Sequence, residues 1–489
     1  MQYLLAIMAG AAHAVSFAPF GWWPLGIVSL MILFGLWLKS DARSFLIGFM
    51  FGLAQFGIGI SWMYISIHTF GGMPPIIAGL CIFALVAFMS LYPALCGWVQ
   101  SLFRRKSRRS RLFFIIPAFW VAFEWLRGWL LTGLPWLTTG YAFVDTPAIN
   151  LAPVGGVYAI SLLVAVTAGV LIAIVTFSAK KSLVMFVLVA IVWAGSWQLG
   201  RLEWTAPGGN SLDVGVVQNN VPLLRKWDAE SQARIIGDYL DASDELKDAD
   251  VIVWPEAAIP AFRDQLPDQF WQRLQTHPAD FISGLLERRT SGDALREFNS
   301  MFAVSGNELS LYSKQHLVPF GEYFPVPWLI RPLTEMLNIP MTNFSAWTME
   351  QPPLPAGGIK FAASICYEDA FPHVWRDQVP ASGALVNISE DMWFGDSLAP
   401  HQRLQMARFR TVETGRPMVR ASNNGLSSLI NHNGKILTIA PQFEPALVSG
   451  RIEPRTGTTP YVKYGYVPVM GVIAGWGLLG LLFGRRRLR

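Results

Sequence analysis

Three short stretches each put a reactive side chain at the end of an apolar run. "VIVWPEAAIP" (251–260) carries Glu256, "YSKQHLVPFGEYFP" (312–325) carries Lys314 with Glu322 eight residues later, and "SICYEDAF" (364–371) carries Cys366. A side chain at a strand end can leave the sheet edge and enter a site. Taken singly, each has a plainer reading: a Trp-Pro-Glu is usually a turn, a lysine near a proline turn is usually solvated, and free cysteine is among the most buried residue types. Together they form a chemical set. A thiol with a free pKa of ~8.5 is only slightly ionised at neutral pH, so a nucleophilic cysteine needs a base or a cation beside it. A carboxylate can take the thiol proton, and an ammonium can stabilise both the thiolate and the oxyanion formed when a carbonyl is attacked. Such a set needs no histidine. His277, His316, His373, His401 and His432 stand in no Cys-His signature.

The elements that must position these residues lie between residues 200 and 465, where acidic residues and short apolar runs alternate. "SLDVGVVQNN" (211–220), "DADVIVWPE" (248–256), "GIKFAASICYE" (358–368) and "GALVNISED" (383–391) read as strands with polar ends. "PHQRLQMARFRTVETG" (400–415) has helical spacing and stops at Gly415. Strands alternating with helices predict a layered α/β domain of ~250 residues.

The remainder is apolar. The 489-residue chain is 52% hydrophobic and only 15% charged, with a mean hydropathy of +0.37, against about a quarter charged in soluble domains. Runs able to cross ~30 Å of hydrocarbon lie near 3–19, 22–38, 44–66, 76–103, 112–133, 155–178, 182–199 and 466–484. The first lacks the basic flank of a cleaved signal peptide and reads as a helix. The net charge of +5 comes from "RRKSRRSR" (104–111) and "RRRLR" (485–489), whose ten positive charges exceed it, so the rest is net acidic. Basic residues placed between apolar spans act as topology signals rather than as a nucleic-acid surface. Lys39, Arg43, the 104–111 run, Lys180, Lys181 and the tail fall on one side if the N-terminus is cytoplasmic. The α/β domain then emerges after an odd number of spans, outside the cytoplasm. Expected boundaries are seven transmembrane helices in 1–200, the extracytoplasmic domain in 205–455, and a last helix with a basic tail in 460–489. The soluble part holds one cysteine and hence no internal disulfide, and no metal or nucleotide motif is present.

Glu256, Lys314 and Cys366, in "WPEAAIP", "KQHLVPFGEYFP" and "ICYED", resemble the Glu-Lys-Cys triad of the nitrilase (carbon–nitrogen hydrolase) superfamily. "SFAPFGWWPL", "VVQNNVPLLRKWD", "WFGDSLAPHQRLQMARFR", "RASNNG" and the flanking spans resemble one branch, the apolipoprotein N-acyltransferases, over essentially the whole chain. The resemblance implies a polytopic membrane domain of eight transmembrane helices plus an αββα sandwich on the periplasmic side of a bacterial inner membrane. It implies movement of an acyl chain from a phospholipid to the α-amino group of a lipoprotein's diacylglyceryl-cysteine, with no cofactor. On that resemblance Cys366 is the nucleophile that forms a thioester, Glu256 the general base, and Lys314 with the Tyr367 backbone N–H the oxyanion stabiliser. Glu322 orients Lys314 and the base; Glu368, Trp227 and Asn299 match supporting positions. Two departures stand out: "ERRTSGDALREFNS" (287–300) is short for the branch, and Glu390 stands where asparagine is expected.

Lipid-anchored substrates account for the architecture. Extracting an acyl chain into water costs ~0.8 kcal/mol per CH₂, which a site tethered at the bilayer surface avoids. The apolar segment 323–347 reads either as a lid dipping into the interface or as a core helix. A membrane-anchored amidohydrolase shares the triad but does not need eight spans, and a transporter predicts repeats or broken helices, of which the sequence shows none. Glu124 and Arg127, spaced i, i+3 in "AFWVAFEWLRGWLL", read as a self-satisfied pair on one helix face. His13 and His68 read as packing or interfacial residues.

Overall fold

Strands with near-continuous apolar runs, such as Leu212–Gln218 and Ala384–Ser389, are buried on both faces, as parallel strands inside an α/β domain must be. The computed structural model describes residues 1–489 except 177–178, 292–293, 324–343 and 484–489. It divides into two units. One comprises Met1–His68, Pro74–Glu203 and Tyr464–Arg489; the other comprises Thr69–Met73 and Trp204–Lys463.

The second unit is built on two six-stranded sheets. We number the strands β1 (Leu212–Gln218), β2 (Val251–Val253), β3 (Asp280–Ser291), β4 (Ala294–Ser305), β5 (Glu308–Ser313), β6 (Leu354–Ala356), β7 (Ile359–Ile365), β8 (Ala384–Ser389), β9 (Met418–Ser422), β10 (Ser428–Ile430), β11 (Ile436–Ile439) and β12 (Ala446–Ile452). One sheet runs β12-β1-β2-β3-β4-β5 and the other β11-β10-β9-β8-β7-β6. Each holds a parallel trio at its centre, β1-β2-β3 or β7-β8-β9, flanked by antiparallel strands. The sheets meet face to face, tied by Asn423, whose backbone oxygen accepts from the Asn220 N–H and whose Oδ1 accepts from the Val221 N–H at 2.9 Å.

Helices cover the outer faces. Ile235 and Tyr239 from Ala229–Ser243, with Phe270 and Leu274 from Asp268–Gln275, pack on Trp254, Phe281 and Phe302 of the first sheet. Trp375, Leu404 and Ala407 pack on Leu385 and Met418 of the second. The layers are therefore α-β-β-α, the nitrilase-type fold. Within 287–300, β3 and β4 pair in register as far as Ser291 and Ala294.

Among the described residues of the first unit, three helices are long and apolar enough to cross a membrane: Asp41–Gly59, Pro75–Ser101 and Pro147–Thr176. Gln2–Val15, Pro24–Lys39, Leu183–Leu199 and Val467–Leu482 are apolar but shorter. The run at 112–133 departs from a single span. Residues Arg111–Ile115 are π-helical, the α-helix covers only Ile116–Arg127, and a 3-10 turn follows at Leu130–Thr132. Hydropathy records the apolar run but not the change of hydrogen-bond pattern inside it.

The Glu124–Arg127 expectation also changes. Glu124 Oε1 accepts from the Thr139 N–H at 2.8 Å and from its hydroxyl at 2.6 Å, while Arg127 donates to Thr138 Oγ1 at 3.3 Å and lies over the Phe56 ring. Trp120 Nε1 and His13 Nε2 also reach Thr139 Oγ1, and Gln55 meets the other ring nitrogen of His13. Both charges make these hydrogen bonds to the buried 138–139 turn, whose Thr139 N–H and hydroxyl need an acceptor and whose Thr138 hydroxyl oxygen takes a donor. His13 is a buried packing residue in this network.

Of the expected lid 323–347, residues 324–343 lie outside the described residues. Its end returns to the second unit: Phe344 is buried with Leu286 and Leu317, and the Trp347 N–H donates to the Lys314 backbone oxygen at 2.9 Å.

Candidate active site

Glu256 follows β2 by three residues. Trp254, fully buried with its Nε1 donating to Ser243 Oγ at 2.9 Å, anchors the strand end. Pro255 and the left-handed Ala257 (φ 45°) then turn the chain. Gly284 on β3 presses against this turn. A Cβ there would lie 2.5 Å from the Ala257 nitrogen and 2.9 Å from the Glu256 Cα, so a side chain at 284 would displace the carboxylate. Both carboxylate oxygens are occupied: Oε1 accepts from Asn299 Nδ2 at 2.7 Å and Oε2 from the Glu390 N–H at 2.9 Å.

Lys314 follows β5 directly and is 1% exposed. Its Nζ donates to Glu322 Oε1 at 2.8 Å and lies 3.6 Å from Glu256 Oε1. Burial alone favours the neutral amine, but Glu322 and Glu256 outweigh it and hold the ammonium charged, well above the ordinary lysine range. Asn299 Nδ2 also donates to Glu322 Oε1 at 3.1 Å, and the Val318 N–H holds Oε2 at 2.8 Å. Asn299, which the resemblance marks as a supporting strand residue, is the donor shared by both carboxylates.

Cys366 is the first residue after β7. Its φ of 53° lies in the left-handed region, uncommon for a side chain with a Cβ. It is buried, and the Ser389 hydroxyl lies 3.9 Å from its Sγ. Burial, with the Glu256 charge, pushes the thiol up to about 12, against the opposing pull of Arg403 and Lys314. The sulfur therefore rests as a thiol. Alkylation of Cys366 by iodoacetamide in the full-length protein should climb about tenfold per pH unit across the neutral and alkaline range. A plateau near ~8.5, where free thiols level off, would contradict this protonation state.

Glu368 ties this elbow to the lysine segment. Its Oε2 accepts from the Ile365 N–H at 2.7 Å and the Tyr312 hydroxyl at 2.9 Å, and Oε1 from the Gln315 and His316 N–H groups at 2.7 and 3.0 Å. Burial pushes this carboxyl up to about 7 even with those donors and Lys314 pulling it down. Tyr367 stacks edge-on against Phe371 at 4.8 Å. Trp227 packs beside Leu286, Leu317 and Phe344.

The Glu390 departure has a structural reading. Its carboxylate pairs with Lys226, whose Nζ also donates to the Glu256 backbone oxygen at 3.0 Å. What position 390 offers Glu256 is its backbone N–H, which any residue supplies. Sequence reasoning passed over Lys226, Ser389, Asp391 and Arg403, all buried here. The available signal was the polar end of "NISED", a strand whose other residues are all apolar save Asn387.

A carboxylate next to a buried ammonium, both beside a thiol on a strained elbow, can take a proton from sulfur and stabilise an oxyanion. The comparisons with known proteins place the whole chain. Residues 9–170 match the family model described as "Apolipoprotein N-acyltransferase N-terminal domain", and residues 213–461 match "Carbon-nitrogen hydrolase". The chain is 38% identical to the apolipoprotein N-acyltransferase of Methylococcus capsulatus, covering 99% of this chain and 96% of that one. This chain belongs to the apolipoprotein N-acyltransferase family. The relative from Photobacterium profundum is also 38% identical over 99% of this chain and 96% of its own length. That from Coxiella burnetii is 36% identical over 99% and 100%. The family match spans both units, so the apolar helices belong to the enzyme as much as the sandwich does.

Proposed function

We propose that this chain carries a fatty acyl group from a membrane phospholipid, through a thioester on Cys366, to the α-amino group of the N-terminal diacylglyceryl-cysteine of a lipoprotein. Family membership across the full chain supports lipoprotein N-acylation by this acyltransferase; the course of the reaction is our reading of the site. Glu256 takes the Cys366 proton as the sulfur attacks the ester carbonyl. The Lys314 ammonium and the Tyr367 backbone N–H stabilise the tetrahedral oxyanion. Its collapse breaks the acyl–oxygen bond, and the proton held by Glu256 passes to the leaving lysophospholipid oxygen. In the second half, Glu256 takes a proton from the incoming amine as nitrogen attacks the thioester carbon. Expulsion of the Cys366 sulfur, which is reprotonated, completes the transfer. Glu322, Glu368, Asn299 and Trp227 support the constellation.

We further read the apolar helices as eight spans in a bacterial inner membrane, with residues 1–200 and 460–489 flanking a periplasmic domain at 205–455. Exposed apolar side chains such as Leu80, Phe83, Leu188, Ile191 and Leu478 in the first unit fit contact with lipid. The observation that carries the reading is the strained, buried Cys366 beside the Glu256–Lys314 pair in a chain that matches the family end to end.

Incubation of the full-length protein with phospholipid should raise the mass of the Cys366 peptide by one fatty acyl group. The adduct should be lost with hydroxylamine and be missing from Cys366→Ala. Turnover of lipoprotein acceptor by Cys366→Ala at the wild-type rate, or no adduct on the wild type when acceptor is withheld, would overturn the thioester route.

A further inference from the structure

Beneath Cys366 lies a closed ring of four charges that the reaction as written does not use. Arg403 Nη2 meets Asp369 Oδ2 at 3.0 Å, Arg420 Nη1 meets the same oxygen at 2.6 Å, Arg420 Nη2 meets Asp391 Oδ2 at 3.4 Å, and Arg403 Nη1 closes the ring on Asp391 Oδ1. All four side chains are 1% exposed or less. They come from four places in the chain: the turn after Cys366, the end of β8, the helix Leu398–Thr414 and β9. Two cations and two anions cancel, which makes this cluster tolerable without water. The ring also fixes the nucleophile's backbone, since Arg420 donates to Asn387 Oδ1 at 2.7 Å and Asn387 Nδ2 donates to the Cys366 carbonyl at 3.3 Å.

Ser389 stands between ring and sulfur. Its oxygen accepts from Arg403 Nη1 at 2.5 Å, so its single proton is left to point elsewhere. Two acceptors compete for it: Asp391 Oδ1 at 2.9 Å and Cys366 Sγ at 3.9 Å. A neutral thiol is a weak acceptor and Asp391 wins. A thiolate is a strong one, and Asp391 Oδ1 keeps Arg403 when the hydroxyl turns away.

We propose that Ser389 is a further catalytic residue, whose hydroxyl swings from Asp391 to the Cys366 sulfur whenever that sulfur carries negative charge, and that Arg403 positions and polarises it. No proton is transferred; the O–H bond stays intact and only its hydrogen bond changes acceptor. The thiolate occurs twice, as attacking sulfur and as leaving group, so one hydroxyl serves both half-reactions. The assignment rests on the reading of Cys366 as the nucleophile.

The test compares wild type, Ser389→Ala and Ser389→Thr, full length in nanodiscs. The rate of Cys366 alkylation by iodoacetamide is followed by peptide mass across neutral to alkaline pH. The charges facing the sulfur in all three are Glu256 after β2, Lys314 after β5, Asp391 after β8 and Arg403 on the 398–414 helix. A hydrogen bond to a charged acceptor predicts alkylation about tenfold slower in Ser389→Ala at every pH, restored within about threefold by Ser389→Thr. Acyl-enzyme formation should fall by a similar factor with little change in the phospholipid concentration at half-maximal rate. Equal alkylation by wild type and Ser389→Ala would overturn the proposal, as would a loss that Ser389→Thr shares, which marks mere packing. If wild type alkylates as described yet never gains an acyl group from phospholipid, the thioester reading fails while the Ser389 result still stands on the thiol.

Discussion

Glu256→Gln should slow acyl-enzyme formation by about 10²–10⁴-fold, the usual contribution of a general base. The case rests on the sulfur. A thiol pushed up to about 12 supplies almost no thiolate at neutral pH, so the proton must be removed as attack occurs. The amide has nearly the shape of the carboxylate, but it has one acceptor oxygen where the site presents two donors, Asn299 Nδ2 and the Glu390 N–H. One donor loses its partner, at about 1–3 kcal/mol of stability. Chemistry and stability can therefore be read apart: single-turnover mass measurement of the Cys366 adduct should show the large loss, and thermal unfolding only a modest one. Wild-type acylation by Glu256→Gln would remove Glu256 from the role of base.

Lys314→Met is expected to have the largest effect on stability, together with a large loss of rate. It leaves the buried Glu256 and the partly buried Glu322 without their shared cation, and breaking a buried pair in this way costs about 3–5 kcal/mol. Loss of an oxyanion donor should cost about 10²–10³-fold in rate. The double variant Lys314→Met with Glu322→Gln separates the two. Removing one orphaned charge should recover much of the thermal stability and none of the acylation. Recovery of both would show that Lys314 is a structural counter-charge only.

The site was legible in the sequence to the extent that its chemistry sits on single residues at strand ends. Glu256, Lys314, Glu322 and Cys366 could be picked out because "WPE", "SKQHLVPFGE" and "ICYED" each interrupt or end an apolar run with a group of distinct reactivity. The α/β character followed for the same reason: buried parallel strands are apolar throughout and bounded by turns. Glu368 was harder to place. Its type and position were visible, but its work, accepting four hydrogen bonds from two segments, 312–316 and the strand end at Ile365, is a property of their meeting.

Contacts between distant segments are what local pattern cannot carry. Glu124 and Arg127 have the spacing of a helix pair, yet a turn eleven or more residues away supplies their hydrogen-bond partners. Glu390 looks anomalous by type, and its backbone N–H is what reaches Glu256. The ring of Arg403, Asp369, Arg420 and Asp391 joins four elements that only the packed sandwich brings together. Which groups could act as base, cation and nucleophile can be read from residue types alone, because reactivity is carried by the side chain. Which charges oppose which emerges with the folded packing, because electrostatic energy depends on distance and burial, and both are set by the fold.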